Sequence, residues 1–327
     1  MRRIFLVLVG LLALLVVLSL RLSRTAPPPD ADESKRLSIE LPNGYRYGAG
    51  VVGRQLDITP DGKTIVYVAD SNTDRRKLYR RTIGEPAPIE IAGTEFGTDP
   101  AISPDGRFVA FYADRAIKKA ALDGSGVSTI TKPPPLRGIA WMGTDTLVVG
   151  IVGGMLLRVT VSNGEQTPVA ETMGPHLPHL SPSILPGNKA VLFTLANGPL
   201  VNARIAVMDL ATGKERELLD ENAFAARYAP TGHIVFARGI DRELMAVKFD
   251  LEKLETVGTP QRVLETPLSG RGTGGSTDYS FSNDGTLVYT QQRDESIDDV
   301  LAQIGSVDLT KIYIQQNWFE DLKRLVP

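Results

Sequence analysis

The sequence predicts an all-β chain, a β-propeller of about six four-stranded blades, on three observations. The stretch QLDITPDGKTIVYVAD, Gln55–Asp70, places a Pro-Asp-Gly turn between two apolar alternating runs, and PAISPDGRFVAFYAD, Pro100–Asp114, repeats it. Asp-Gly is a strong hairpin signal, and alternation after it is a strand signal. Related turns, each followed by a strand, begin at Thr59, Ser103, Met142, Leu185, Ala229 and Ser282. A second short run keeps step after the first five: KLYRR, AIKKA, LLRVT, RIAVM and ELMAV, centred on Leu78, Ile117, Leu157, Ile205 and Leu244. The unit is turn, strand, short strand, turn, short strand, with a period of about 40 residues, in the propeller range. One small sheet cannot cover its own two apolar faces, whereas radial stacking covers both and leaves short edges. A solenoid or a two-sheet sandwich is the alternative, and the absence of crossover helices argues against α/β.

The elements follow in chain order. In residues 1–24 an uncharged apolar run extends from Ile4 to Leu20 between Arg2, Arg3 and Arg21. It is at the short end of the membrane-spanning range and is expected to anchor the chain through residues 4–20, a cleaved signal peptide being the alternative. Arginines on both sides leave the orientation undecided by charge. Residues 25–35, TAPPPDADESK, read as a Pro-rich linker. The propeller is expected over 36–316. RLSIELP, Arg36–Pro42, precedes every turn and has no hairpin partner, so it is expected to complete the last blade beside TLVYTQQ or KIYIQQ. RDESIDDVLAQIGSVDLT, Arg293–Thr310, reads as a surface helix or the remnant of further blades. In 317–327, Asn317 is expected to cap an amphipathic helix with Glu320 at the capping-box position, and Trp318, Phe319, Leu322 and Leu325 on one face.

Composition excludes several functions. The formal charge of -2 leaves no footprint for nucleic acid, and the chain has no cysteine, hence no disulfide, thiolate nucleophile or Cys-based zinc site. Of three histidines, His176 and His179 lie in a Pro-interrupted run that cannot present them on a regular helix face, and His233 falls in a turn expected to be exposed. No metal site and no cofactor is expected. No Gly-x-Ser-x-Gly elbow occurs, and the Gly270–Asp278 glycines end in no Gly-Lys-Ser/Thr. Carboxylates from different blades can still meet at the channel: Asp99 and Asp278 stand at equivalent places before innermost strands. The expected binding residues at the channel mouth are Asp99, Arg137, His179, Arg227 and Asp278.

Four motifs carry a family resemblance: ISPDGRFVAFYAD, LPGNKAVLFT, ARYAPTGHIVFARG and LMAVKFDLEKLETVGTP. With the tail NWFEDLKRLVP, the chain resembles the TolB-like (WD40-like) β-propellers. It most resembles the propeller domains that follow the transmembrane helix of bacterial serine/threonine kinases. The resemblance covers Leu37–Arg293 and the tail. It implies a propeller on the periplasmic or extracellular side of a membrane. No kinase domain is present: the chain lacks the glycine-rich loop, His-Arg-Asp and Asp-Phe-Gly. Such relatives often carry more propeller sequence before the tail, so a shortened propeller with little activity is one alternative. The expected function is non-catalytic binding of a protein or peptide partner by a membrane-tethered propeller. An exported hydrolase, glycosidase or lactonase-like, with its site at the channel is the other alternative.

Overall fold

The computed structural model describes residues 35–42, 44–47, 53–71, 75–170, 178–196, 202–239, 241–269, 277–291 and 311–327. They form six antiparallel sheets arranged as blades. Strand β1 is Lys35–Glu40. Blade 1 holds β2 (Tyr45–Tyr47), β3 (Leu56–Ile58), β4 (Thr64–Ser71), β5 (Lys77–Thr82) and β6 (Ile89–Glu90). Blade 2 holds β7 (Thr98–Ile102), β8 (Phe108–Ala113), β9 (Ala116–Ala121) and β10 (Val127–Thr131). Blade 3 runs through β11 (Leu136–Trp141), β12 (Thr146–Ile151), β13 (Met155–Thr160) and β14 (Gln166–Pro168). Blade 4 comprises β15 (His179–Ile184), β16 (Ala190–Leu195), β17 (Arg204–Asp209) and β18 (Glu215–Glu217). Blade 5 comprises β19 (Ala223–Ala229), β20 (His233–Arg238), β21 (Glu243–Asp250) and β22 (Glu255–Arg262). Blade 6 is β23 (Tyr279–Phe281), β24 (Leu287–Tyr289), β25 (Lys311–Gln316) and, outermost, β1.

The ring closes as the unpaired first strand requires. β1 lies antiparallel to β25, with Lys35 opposite Gln316 and Glu40 opposite Lys311. Inside the ring, both faces of each second strand are buried, and period-two alternation sends them to opposite neighbours. In β4, Ile65, Tyr67 and Ala69 pack towards blade 6, while Val66 and Val68 pack towards blade 2. In β20, Ile234 and Phe236 join blade 4, while Val235 and Ala237 join blade 6. Each seam thus has its own apolar cluster.

The repeated turn works differently from a two-residue Asp-Gly hairpin. Gly62 N–H donates to the Thr59 carbonyl at 2.9 Å, and Gly62 alone of the pair takes positive φ, +70°. Asp61 instead accepts from Thr59 Oγ1 at 2.6 Å and from the Lys63 N–H at 3.1 Å. Blade 2 repeats this with Ser103 Oγ to Asp105 at 2.5 Å and the Arg107 N–H at 3.1 Å. The hydroxyl residue two places before the aspartate is therefore part of the turn.

Several expectations are corrected. No helix among the described residues is long and apolar enough to cross a membrane. The one α-helix among them, α1 (Trp318–Leu325), has 8 residues and spans about 12 Å against a bilayer core of about 30 Å. The expected anchor at residues 4–20 lies outside the described residues. The architecture described is a six-bladed propeller with a short C-terminal helix, and nothing in it supports membrane tethering or placement on the periplasmic or extracellular side. In α1, Trp318, Phe319 and Leu322 are buried in the blade 5–blade 6 cluster, but Leu325 is 38% exposed. Asn317 takes a left-handed conformation and makes no side-chain cap hydrogen bond. His233 is buried, not exposed: its Nε2 lies 2.7 Å from the Val326 carbonyl, so the chain end covers the turn. His176 and the segment 293–310 lie outside the described residues.

Candidate binding site at the central channel

Counting back four residues from the residue that opens each turn gives Gln55, Asp99, Gly138, Ser181, Ala225 and Asp278, one per blade. In blades 2 to 5 the inner-strand register slips at this position, and the residue there has positive φ: Asp99 +52°, Gly138 +97°, Ser181 +49° and Ala225 +56°. Such a bulge bends the strand and re-aims its side chains. For the three non-glycine residues the conformation costs roughly 1–2 kcal/mol each. The four bulges narrow the channel to a cavity of ≈ 30 Å³, which they line together with Arg54, Arg227 and Tyr279.

The wall is chemically lopsided. On the side of blades 5, 6, 1 and 2 it is ionic. Asp57 is its hub: Oδ1 accepts from Ser280 Oγ at 2.6 Å, and Oδ2 accepts from the Ile102 N–H at 2.9 Å. Arg54 Nη2 stands 3.6 Å from Asp57 Oδ2, and Arg227 Nη1 stands 3.7 Å from Oδ1. Arg54 also donates through Nη2 and Nε to the Pro100 carbonyl at 2.6 and 3.1 Å. Two successive amides of blade 1 then reach sideways. The Arg54 N–H donates to Asp99 Oδ1 at 3.1 Å, and the Gln55 N–H donates to Asp278 Oδ1 at 3.0 Å. Gly53 makes room for this: a Cβ there would lie 2.4 Å from Asp99 Oδ2.

Both carboxyls are buried and shifted. Burial pushes Asp99 up to about 6, against the pull of Arg54 and Arg137. Burial pushes Asp278 up to about 7; the Gln55 N–H, the Tyr47 hydroxyl and Arg242 oppose the rise, and the charge of Asp99 adds to it. Desolvation wins in both cases because the carboxylate loses more hydration than the neighbouring cations return.

The expected site residues separate in space. Asp99 and Arg227 line the cavity, with Arg54. Asp278 stands in blade 6 between the cavity-lining Thr277 and Tyr279, and is itself tied to the Gln55 N–H. Arg137 turns back to donate to its neighbour's carbonyl, Leu136, at 3.1 Å, yet stays within electrostatic reach of Asp99. His179 is buried against Phe193, with ring centroids 4.4 Å apart, and its Nε2 is 3.5 Å from Glu215. Among the described residues no three His, Asp or Glu side chains are grouped to hold a metal ion. Arg54 and Asp57 escaped the sequence reading, although Asp57 is the one acid at a place where other blades carry Ala101, Ala140, Ser183, Arg227 and Ser280.

No protein-family profile matches the chain, and no curated protein matches it. Solved structures do. The putative TolB from Agrobacterium tumefaciens aligns with a TM-score of 0.54 at 17% identity, covering 86% of this chain and 97% of that one. An oligogalacturonate lyase in complex with manganese aligns at 0.50 and 13% identity, covering 87% and 98%. TolB from Acinetobacter baumannii aligns at 0.48 and 18%, and the match covers 60% of this chain and 51% of that one. Identities this low establish the fold, a β-propeller, and nothing finer.

Proposed function

We propose that this propeller binds a segment of a protein or peptide partner laid across the channel mouth. The observation that carries the reading is the shape of the channel: the bulges leave a cavity of ≈ 30 Å³. A water needs about 10–15 Å³ of such space, so the cavity suits the tip of one side chain better than a whole sugar or nucleotide. The bulk of any ligand therefore rests on the rim, where loops supply the contacts. Asp99 and Arg227, facing the cavity, are the proposed contacts at its base, with Arg137, His179 and Asp278 set around them.

The rival is a hydrolase with Asp99 as its acid or base. One observation favours it: a buried carboxyl raised to about 6 at a cavity is the kind of group that general catalysis uses. Asp278 and Asp99 feel each other's charge, but Asp278 is held by the Gln55 N–H and is not among the residues that line the cavity, which counts against a carboxylate pair facing one pocket. Crosslinking in intact cells with partner identification separates the two, run with Asp99→Ala and Arg227→Ala in parallel. A specific partner lost in both variants is the expected outcome. No partner, together with hydrolytic turnover that vanishes in Asp99→Ala, would overturn the binding reading.

A further inference from the structure

We infer that the channel cavity captures a single carboxylate of the bound segment, an acidic side chain or a chain end, on the guanidinium groups of Arg54 and Arg227. This rests on the binding reading and names the chemistry of the group that enters. The charged lining of the cavity is two guanidiniums and one carboxylate, Arg54, Arg227 and Asp99, with the Asp57 carboxylate behind both guanidiniums, so the cluster carries surplus positive charge when Asp99 holds its proton and is balanced when it does not. The donors are also in surplus. A guanidinium carries five N–H groups. Arg54 spends two nitrogens on the Pro100 carbonyl, and Arg227 spends Nη1 on Ser280 Oγ at 3.1 Å. The carboxylate they share, Asp57, stands 3.6 and 3.7 Å away and is already held by Ser280 and the Ile102 amide. The Arg54 and Arg227 side chains remain 16% and 21% exposed, open enough to receive a ligand. On the measure by which one water takes about 10–15 Å³, ≈ 30 Å³ is room for two or three waters, a space that a carboxylate group can fill.

Asp99 tunes this site. The charged groups facing it are Arg54 and Arg137, which favour its anion, and Asp278, whose charge disfavours it. Neutral, its carboxyl donates a hydrogen bond to an incoming carboxylate; ionised, it repels one. Capture therefore strengthens as pH falls towards the range where Asp99 takes up its proton.

NMR titration of the purified chain tests this. The probes are sodium formate and two acetylated tripeptides, Ac-Gly-Glu-Gly-amide and Ac-Gly-Gly-Gly with a free carboxylate. Methylammonium chloride and Ac-Gly-Gln-Gly-amide serve as controls. Saturable binding of formate and of at least one carboxylate peptide is expected, with the peptides deciding between side chain and chain end. Binding should be tighter at pH 5.5 than at pH 8 and weaker by about tenfold in Arg227→Met, the loss of roughly one charged contact. Should Arg227→Met fail to fold, Asp99→Asn gives an independent readout: formate should bind it more tightly at pH 8 and lose its pH dependence. Methylammonium binding without formate binding, or formate binding indifferent to both variants and to pH, would overturn the inference. A cellular partner held at full strength by a folded Arg227→Met protein would overturn carboxylate capture while sparing the binding reading. A formate site in a chain with no partner would do the reverse.

Discussion

The two sides of the channel are joined by different forces. Blades 6, 1 and 2 meet through charges and side-chain hydrogen bonds centred on Asp57, Asp99 and Asp278. Blades 3 and 4 meet through close backbone approach: a Cβ on Gly150 would lie 2.3 Å from the His179 carbonyl oxygen, and one on Gly138 would lie 2.8 Å from Ser181 Cα. The residues that blades 3 and 4 give to the cavity lining, Gly138, Ile139, Ser181, Pro182 and Ser183, include no titratable group. The ionic side trades stability for charges that a ligand can address, which fits the tendency of strained and desolvated polar groups to collect at functional sites.

The sharpest way to break this comparison is on the close-packed side. Gly150→Val has no space to relax into, because backbone and not a flexible side chain blocks it. We expect a loss of about 3–5 kcal/mol, read from chemical denaturation. On the ionic side, Asp57→Ala should cost about 3 kcal/mol, since it strands two guanidiniums, a hydroxyl and an amide. Asp57→Asn keeps the acceptor and should cost less; equal losses would mean that charge is irrelevant to the hub.

Titration sharpens the contrast further. Asp99 and Asp278 have folded-state pKa values raised to about 6 and about 7 from an ordinary 3.8. A raised carboxyl binds its proton more tightly when folded, so its contribution is fully present below the ordinary value and is lost as pH rises through the folded one. Stability should therefore decline between about pH 4 and pH 7, on the order of 3 kcal/mol for Asp99 and 4 kcal/mol for Asp278. Asp99→Asn and Asp278→Asn should each flatten part of that slope in melts across the range. A stability that climbs over the same interval would show that both acids are held ionised.

The smallest expected effect lies away from the channel. Asp105→Ala removes the acceptor for Ser103 Oγ and the Arg107 N–H at a turn. A loss of about 1 kcal/mol is expected, the usual worth of such a local cap.

Much of the fold was legible because it is written as a repeat. The turn motifs located all six second strands, and the lone RLSIELP segment pointed to its pairing with KIYIQQ, which the Ile39–Ile312 register realises. The equivalence of Asp99 and Asp278 was also visible, from their spacing to Ser103 and Ser282. What sequence could not give was the outcome of burial and bending. Ala225 has no intrinsic taste for positive φ, yet the blade imposes it. His233 reads as a turn residue until the Val326 carbonyl arrives from 93 positions away. Arg54 and Asp57 look like ordinary strand residues, and their roles arise from three blades meeting. The membrane anchor was inferred from hydropathy alone at residues 4–20, a stretch outside the described propeller.

The β1–β25 pairing places Glu40 beside Lys311, so one sheet needs both ends of the domain at once. During synthesis, blades 2 to 5 can each form from neighbouring segments as they emerge, because their strands are consecutive in the chain. The sixth cannot, and until β25 leaves the ribosome β1 has no partner in the ring. The nascent domain is thus an open arc with the apolar flanks of blades 1 and 5 uncovered, and its last residues decide whether it closes on itself or meets another arc. A stalled chain lacking Lys311–Pro327 should bind chaperones and resist release, whereas a chain in which those residues have emerged should close the ring.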